Sequence, residues 1–541
     1  MQIPESFRCV KSLSKRLFKG QANIQKNQYT LLMSWFVGAY KVFDLESDVT
    51  LAASILNSYA TVKLIRSKDL QLYACASAFI ATSLSMDHNL VPLMDEWVNM
   101  SGDAFNVSQI TKAVEDIYLS LCGKVLIPTT TCFLKLLSLD KNTLNKAITI
   151  ANILCLTSKY FKYYPYDVAE CIVKYVNGEE TYLSNAISNT LTKLSSWSNK
   201  LVINALTTLG YTADMYTAFA VNESIKPPTL HSDCIKSKVL LSFKMDEFKR
   251  QRTLGEGGYG TVYSGTLDNQ KIAIKKQDSD AYPAALKEIA IMSMLDHPLV
   301  ESSLGIYFDD SCYFSMNLRK TCLHDILYPR STNEVFSDYI WIENRTRPYS
   351  HLVSLSTRRS IGKQILNALI YLHSNGVIHG DVKPPNILLD EDSTGYTVKV
   401  TDFGISSYEP LLSSGEMIAP CTVHYRPIEH LGAMHPVSPN NRIPYSYEVD
   451  IWAFGLVLAE MEVGCHPVNI SKIADYNTSS DSTETLVRRR YERVFGATGR
   501  IVPRCLLNNG FSKLCMEMLQ FDPTERITAT QALFQLQTCM C

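Results

Sequence analysis

Three glycines, Gly255, Gly257 and Gly260, keep a G-x-G-x-x-G spacing within Leu254-Gly255-Glu256-Gly257-Gly258-Tyr259-Gly260-Thr261-Val262. A turn bare of side chains lets the backbone close over phosphate oxygens. The spacing alone also fits a dinucleotide fold, and the residues downstream separate the two. Val262-Tyr263 begins a strand, Asp268-Asn269-Gln270 is a turn, and Ile272-Ala273-Ile274-Lys275 alternates like a strand and ends in lysine. Strand, glycine turn, strand, turn, strand is not the strand–turn–helix order of a dinucleotide fold. The chemistry these residues suggest is the handling of a nucleotide's phosphates under a backbone flap.

In this order the stretch resembles a protein kinase. The resemblance implies ATP as phosphoryl donor, with Leu254 through Val262 and Ala273 lining the nucleotide site. Lys275 would reach the α- and β-phosphates, and Glu288, thirteen residues on, would hold that lysine. Ala285-Leu286-Lys287-Glu288 is similar to the A-I-R-E helix of cyclin-dependent kinases. Met316 is placed at the back of the adenine pocket, and Asn317 and Leu318 at the interdomain hinge. Ile378-His379-Gly380-Asp381-Val382-Lys383-Pro384-Pro385-Asn386 is similar to the catalytic loop H-R-D-x-K-x-x-N. Phosphoryl transfer needs a carboxylate to orient the attacking hydroxyl and accept its proton, here Asp381. Lys383 would supply positive charge to the γ-phosphate, in the form typical of serine/threonine kinases. Asn386 and the aspartate of Thr401-Asp402-Phe403-Gly404 are the oxygen ligands implied for Mg²⁺.

Thr422-Val423-His424-Tyr425-Arg426-Pro427-Ile428-Glu429 resembles the T-L-W-Y-R-A-P-E segment of cyclin-dependent kinases. Thr422 is then expected to bridge Asp381 and Lys383, Glu429 to pair with Arg526, and Asp450 to tie down the catalytic-loop backbone. Arg426 is the arginine associated with proline-directed kinases. Glu484 to Thr498 resembles the helix before G-T-P in the same group. The chain also departs from the pattern. Gly380 replaces the arginine that binds phosphate on the activation loop, and Met417 stands where the phosphothreonine is expected, beside Glu416. The expectation is a loop ready without phosphorylation. Gly258 and Tyr259 occupy the place of an inhibitory Thr-Tyr pair, of which only the tyrosine remains.

The strands and helices that would hold these residues in place occupy the second half of the chain. The first half reads as successive helices. Tyr29, Leu32, Trp35, Phe36 and Tyr40 recur at helical spacing, as do Leu51, Ile55, Leu56 and Tyr59, then Leu70, Tyr73, Ala74, Phe79 and Ile80. Ala74, Ala76, Ala78 and Ala81 make the third helix small, as suits a central helix. Leu32 to Val37, Asp48 to Tyr59, Lys68 to Ser83 and Tyr163 to Ala169 resemble segments of a cyclin box and its repeat. Ser83 and Tyr29 stand where typical cyclins carry lysine and arginine, which puts the usual grip on a kinase in doubt.

The expected fold is multidomain: an all-α cyclin-box-like domain followed by an α+β bilobal kinase. Its boundaries are a basic arm at 1–27, a helical domain at 28–210 with boxes near 28–124 and 125–210, and a linker at 211–245. The kinase occupies 246–537, with a surface insert at about 328–349, and a tail spans 538–541. The 541 residues exceed a single core. Hydrophobic residues at 46% and charged residues at 19% argue against extensive disorder. Lys plus Arg at 52 against Asp plus Glu at 53 gives no sign of a nucleic-acid partner. Fifteen cysteines without C-x-x-C pairs read as free thiols. No run of eighteen apolar residues suggests a transmembrane segment, and the N-terminus lacks a signal peptide's apolar core, so a soluble intracellular protein is expected. Cys539-Met540-Cys541 is a C-x-C ending of the kind some prenylated proteins carry.

Together these features imply a Ser/Thr kinase acting on protein substrates, with the cyclin-like domain as an intramolecular activator or adaptor. The fused arrangement resembles kinases of large DNA viruses, which implies a viral protein in the host cytoplasm or nucleus, with host cell-cycle or transcription partners. Two other readings stay open: a nucleotide-binding pseudokinase scaffold, and a cyclin-like module that binds an outside kinase or transcription partner.

Overall fold

The computed structural model describes residues 24–43, 49–86, 91–137, 139–179, 181, 183–195, 200–209, 240–257, 260–278, 281–328, 354–393, 395–411, 421–431, 445–463, 466, 483–495 and 511–538. The expectations placed on 1–23, 211–239, Gly258 and Tyr259, 329–349, Glu416 and Met417, 496–498 and the terminal Cys539-Met540-Cys541 lie outside these residues. The chain divides into two compact units. The first holds residues up to Met294 together with Ser303–Met316, and the second holds Leu295–Ser302 and Asn317 onward.

The first unit opens with helices α1 (Lys26–Val42), α2 (Val49–Val62), α3 (Leu70–Ser85), α4 (Met94–Met100) and α5 (Val107–Ser120). A second run comprises α6 (Thr130–Leu136), α7 (Lys141–Leu154), α8 (Pro165–Val176), α9 (Ser184–Ser195) and α10 (Lys200–Thr208). Local chemistry sets several of the starts. Asn106 and Gln109 form a reciprocal capping box on α5, each bond 2.9 Å. Asp140 caps α7, and Pro165 opens α8 at the position where its missing N–H costs nothing. Helix α3 is buried from Ala74 to Leu84. Its alanines, Ser77, Thr82 and Ser83 let α2 and α5 pack closely on it. Thr82 and Ser83 cost little, because their hydroxyls donate to carbonyls one turn back, at 2.7 Å each.

The same unit carries a six-stranded sheet. Its strands are β1 (Leu241–Ser242), β2 (Lys249–Gly257), β3 (Gly260–Leu267), β4 (Gln270–Asp278), β5 (Gly305–Phe308) and β6 (Ser311–Asn317), in the order β1-β5-β6-β4-β3-β2. Strand β1 is parallel to β5 and lies within the stretch expected to be linker. Two residues are too few to show a period, so the pairing is invisible in the sequence. Helix α11 (Tyr282–Met294) carries Glu288 and packs against α3.

The second unit contains α12 (Leu323–Leu327), α13 (Leu355–Ser374), α14 (Glu448–Val463), α15 (Thr483–Phe495), α16 (Ser512–Met518) and α17 (Ala529–Thr538). Its short strands are β7 (Thr321–Cys322), β8 (Val377–Ile378), β9 (Ile387–Asp392), β10 (Gly395–Val400) and β11 (Ser407–Tyr408), in sheets β10-β9-β7 and β11-β8. Helix α14, apolar on nearly all sides, forms the core of this unit with Trp452, Phe454 and Leu458 fully buried. Near it the Arg526 guanidinium grips the Glu429 carboxylate bidentately at 2.6 and 2.5 Å, with both side chains almost wholly buried. Removing one member strands a buried charge, so Arg526→Ala is expected to cost about 3–5 kcal/mol. Chemical denaturation of the second unit's transition reads this directly.

Candidate active site

The predicted site residues fall into two groups, one in each unit. In the first unit, β2 and β3 form the glycine hairpin, with Gly255 opposite Val262, Glu256 opposite Thr261, and Gly257 opposite Gly260. Gly260 has φ of +117°, and a Cβ there would sit 2.1 Å from the Lys276 carbonyl oxygen. Only glycine fits that position. Leu254 at the mouth of the hairpin is 37% exposed, whereas Ala273 is buried. Strand β4 presents Lys275, whose Nζ lies 3.0 and 2.8 Å from the two Glu288 oxygens. Both side chains are buried, and Nζ lies 5.8 Å from the centre of the Phe314 ring. Gln277, two residues along the strand and so on the same face, donates its Nε2 to Glu288 Oε2 at 2.9 Å. Sequence reasoning did not single it out, although its place in the alternation marks it. Met316 is buried at the end of β6, and Leu318 lies just past the point where the chain passes into the second unit.

In the second unit the catalytic loop leaves β8 and is tied down from below. Asp450 accepts from the His379 and Gly380 backbone N–H groups at 2.9 and 2.8 Å, and its Oδ2 lies 2.9 Å from His373 Nε2. His379 has one tautomer available: its Nε2–H donates to the Thr401 carbonyl at 3.0 Å, and its Nδ1 accepts from the Asp381 N–H at 3.2 Å. The loop presents a carboxylate with four donors. Asp381 Oδ1 accepts from the Thr422 N–H at 3.1 Å and its hydroxyl at 2.7 Å. Oδ2 accepts from Lys383 Nζ at 2.6 Å and Asn386 Nδ2 at 3.1 Å. Lys383 also donates to Thr422 Oγ1 at 2.8 Å, so Thr422 bridges the pair.

The donor set for a metal is hard. Asn386 is buried and commits its amide nitrogen to the Asp381 carbonyl and carboxylate, which leaves the amide oxygen as the group available for coordination. Asp402 sits at φ +67°, a left-handed conformation held between buried Thr401 and Phe403. Among the described residues no group of three or more His, Cys, Asp or Glu is placed to hold a metal. Mg²⁺ needs no such cage, since one or two carboxylates plus water and phosphate oxygens satisfy it. One amide oxygen and one carboxylate fit that ion.

A charged cluster in this unit was not predicted. Glu301, buried, accepts from Arg319 Nε at 2.7 Å and Nη2 at 3.1 Å, and from Asn317 Nδ2 at 3.3 Å. Arg319 Nη1 reaches Asp390 at 2.9 Å. The cluster fastens both crossing segments, Leu295–Ser302 and the chain after Met316, to the second unit. Its members lie 18 and 71 residues apart, so no local pattern could link them. Glu460 is likewise buried and accepts from the hydroxyls of Tyr425, at 2.9 Å, and Tyr328. Burial pushes its carboxyl up to about 7, against the opposing pull of the two hydroxyls. The folded pKa lies above the unfolded one, so protonation favours the folded chain. Stability from this group is complete below about pH 4.5 and falls as pH rises to about 7. Glu460→Gln is expected to flatten that loss, on the order of 3 kcal/mol, in urea titrations run between pH 5 and 8.

A glycine hairpin with a paired lysine in one unit, and this catalytic loop in the other, define the class as a protein kinase. A family model described as "Protein kinase domain" matches residues 248–536, more than half of the chain, and the chain belongs to that family. A second model, "Cyclin, N-terminal domain", matches residues 5–126, so the kinase carries a fused N-terminal helical cyclin domain. Serine/threonine-protein kinase ssn3 of Aspergillus niger is 29% identical over 349 residues, covering 52% of this chain and 75% of that protein. The ssn3 protein of Aspergillus terreus is 28% identical over 356 residues, covering 53% and 75%. An Arabidopsis thaliana leaf rust 10 disease-resistance locus receptor-like protein kinase is 29% identical over 307 residues, covering 54% of this chain and 44% of that protein. A chain in the crystal structure of the yeast RNA Pol II CTD kinase CTDK-1 complex is 21% identical with a TM-score of 0.40, over 55% of this chain and 94% of that one. The chain is thus a serine/threonine kinase by its relatives, with a cyclin domain in the same polypeptide.

Proposed function

We propose that the chain transfers the γ-phosphoryl group of ATP to Ser and Thr hydroxyls of proteins, with the cyclin-like domain acting in cis on helix α11. The observation that carries this is the Asp381 carboxylate, oriented by Thr422, Lys383 and Asn386. Asp381 would orient the incoming hydroxyl and accept its proton, while Lys383 and Lys275 offset charge on the phosphates. Asn386 and Asp402 would hold Mg²⁺, which when bound neutralises charge building between the β- and γ-phosphates. Leu254 through Val262, Ala273, Met316 and Leu318 would line the nucleotide. The arrangement is a preorganised one, which a scaffold without activity does not need.

Support for action in cis comes from the first unit. The Tyr118 hydroxyl of α5 donates to the Leu286 carbonyl at 2.8 Å, two residues before Glu288. The Tyr282 ring lies 6.4 Å from Phe79 of α3, and 5.4 Å from Phe308. Ser83, at the place of the usual lysine, is turned onto its own helix. The grip is therefore aromatic, and the hydroxyl of Tyr118 does what a lysine would otherwise do. Tethering raises the effective concentration toward millimolar, so this face stays engaged.

A proline preference draws support from Arg426, which donates to the Cys421 carbonyl at 3.3 and 3.0 Å. A carbonyl so engaged offers nothing to a substrate N–H, and proline has none. The domain division at 28–210, 211–245 and 246–537 is part of this reading. Free buried thiols, among them Cys75, Cys312 and Cys421, suit a reducing compartment. No helix among the described residues is long and apolar enough to cross a membrane. A viral origin with host partners has the fused arrangement in its favour. The test is the purified full chain with ATP, Mg²⁺ and a Ser/Thr peptide library. The expected result is transfer enriched in peptides with proline after the target. ATP binding without transfer would leave the scaffold reading standing.

A further inference from the structure

Gly380 immediately precedes Asp381 and has φ of +79°. A Cβ at this position would lie 2.3 Å from the Tyr445 hydroxyl oxygen and 3.3 Å from the Ile405 carbonyl oxygen. The space beside the loop is thus filled already, by Tyr445. Its ring is buried in an apolar cluster with Ile378, Cys421 and Val449, on which Ile405 and Tyr447 also pack. His430 meets the ring edge-on, with centroids 6.1 Å apart. Among the described residues the hydroxyl has no hydrogen-bond partner. What Tyr445 contributes is therefore volume rather than a polar contact.

That volume bears on the chemistry through Cys421, the residue before Thr422. The Cys421 side chain is held in the Tyr445 cluster, and its carbonyl is held by Arg426. With both anchored, the backbone has little freedom to swing the Thr422 N–H and hydroxyl off Asp381. Among the described residues, Arg426, Lys383 and Asp450 beside this segment are already engaged. Arg426 pairs with Glu484, Lys383 with Asp381, and Asp450 with the loop backbone.

We infer that Tyr445 is a positioning residue: by filling the space over Gly380 and packing on Cys421, it holds Thr422 against Asp381 without a phosphate on the activation segment. The inference rests on the kinase reading and concerns how that activity is kept on. The test compares the full-length parent with Tyr445→Phe, Tyr445→Leu and Tyr445→Ala. Each is treated with a protein phosphatase, freed of it, and assayed with ATP, Mg²⁺ and a Ser/Thr peptide pool for kcat and for the KM of ATP.

The phosphatase-treated parent is expected to keep kcat within about twofold, and so is Tyr445→Phe, which keeps the ring packed with Cys421 and loses only an oxygen that has no hydrogen-bond partner among the described residues. Tyr445→Ala is expected to lose roughly 100-fold in kcat, with the KM for ATP changed less than about threefold, because the loss is one of alignment. Tyr445→Leu restores part of the volume and should fall between them, and it stands in if the alanine variant does not fold. A kcat in Tyr445→Leu and Tyr445→Ala equal to the parent's overturns the inference. So does a tenfold loss in the parent on phosphatase treatment, or a loss in Tyr445→Phe as large as in Tyr445→Ala. Failure of the untreated parent to transfer phosphate at all is a separate result, and it removes the kinase reading itself.

Discussion

Asp381→Asn should retain ATP and Mg²⁺ binding while losing phosphoryl transfer by about 10³-fold, within the range expected when a positioned general base is removed. The substitution is nearly isosteric. The amide oxygen can still accept from Thr422 at the place of Oδ1, where the present bonds are 2.7 and 3.1 Å. On the other side an NH₂ group would face Lys383 and Asn386, which now donate to Oδ2. The loop should therefore survive with a local donor conflict, and the hydroxyl of the substrate would lose both its orienting charge and its proton acceptor. Isothermal titration with ATP and Mg²⁺ measures the first effect, and single-turnover transfer to a Ser/Thr peptide measures the second. Equal transfer by Asp381→Asn and the parent would show that the phosphoryl chemistry lies elsewhere.

The second large effect concerns Lys275, to whose ammonium the proposed function gives two jobs that a pair of variants can separate. Lys275→Met removes the charge meant for the phosphates and leaves Glu288 buried with Gln277 as a neutral donor. Transfer should fall by roughly 10²–10³-fold from loss of the electrostatic contribution. Stability should fall by about 3–5 kcal/mol from the stranded carboxylate. Adding Glu288→Leu removes the uncompensated charge. Thermal unfolding of the double variant should return most of the way to the parent, because replacing both members of a buried pair is close to neutral. Its transfer rate should not return. If activity recovered along with stability, Lys275 would be a structural lysine and nothing more.

Much of the site was legible because its parts are close in sequence. The glycine hairpin needs its three glycines within six residues, with glycine forced at position 260 because a Cβ there would sit 2.1 Å from the Lys276 carbonyl oxygen. Lys275 and Glu288 are only 13 residues apart, and the Asp381, Lys383 and Asn386 group spans a single loop. The helical first half was readable for the same reason, from apolar stripes such as Leu51, Ile55 and Tyr59 that local periodicity lays on one face. Strand β1 was not, since two residues carry no period and their partner, β5, lies over sixty residues away.

Residue types at short spacing were enough to establish which chemical groups this protein could bring to a phosphate. Part of what holds those groups in place came from long-range packing alone. Glu301 with Arg319 and Asp390, Tyr118 with Leu286, and Tyr445 over Gly380 are each made by residues far apart along the chain. Whether such residues meet depends on how helices and sheets pack, a matter of shape and burial that no local pattern encodes.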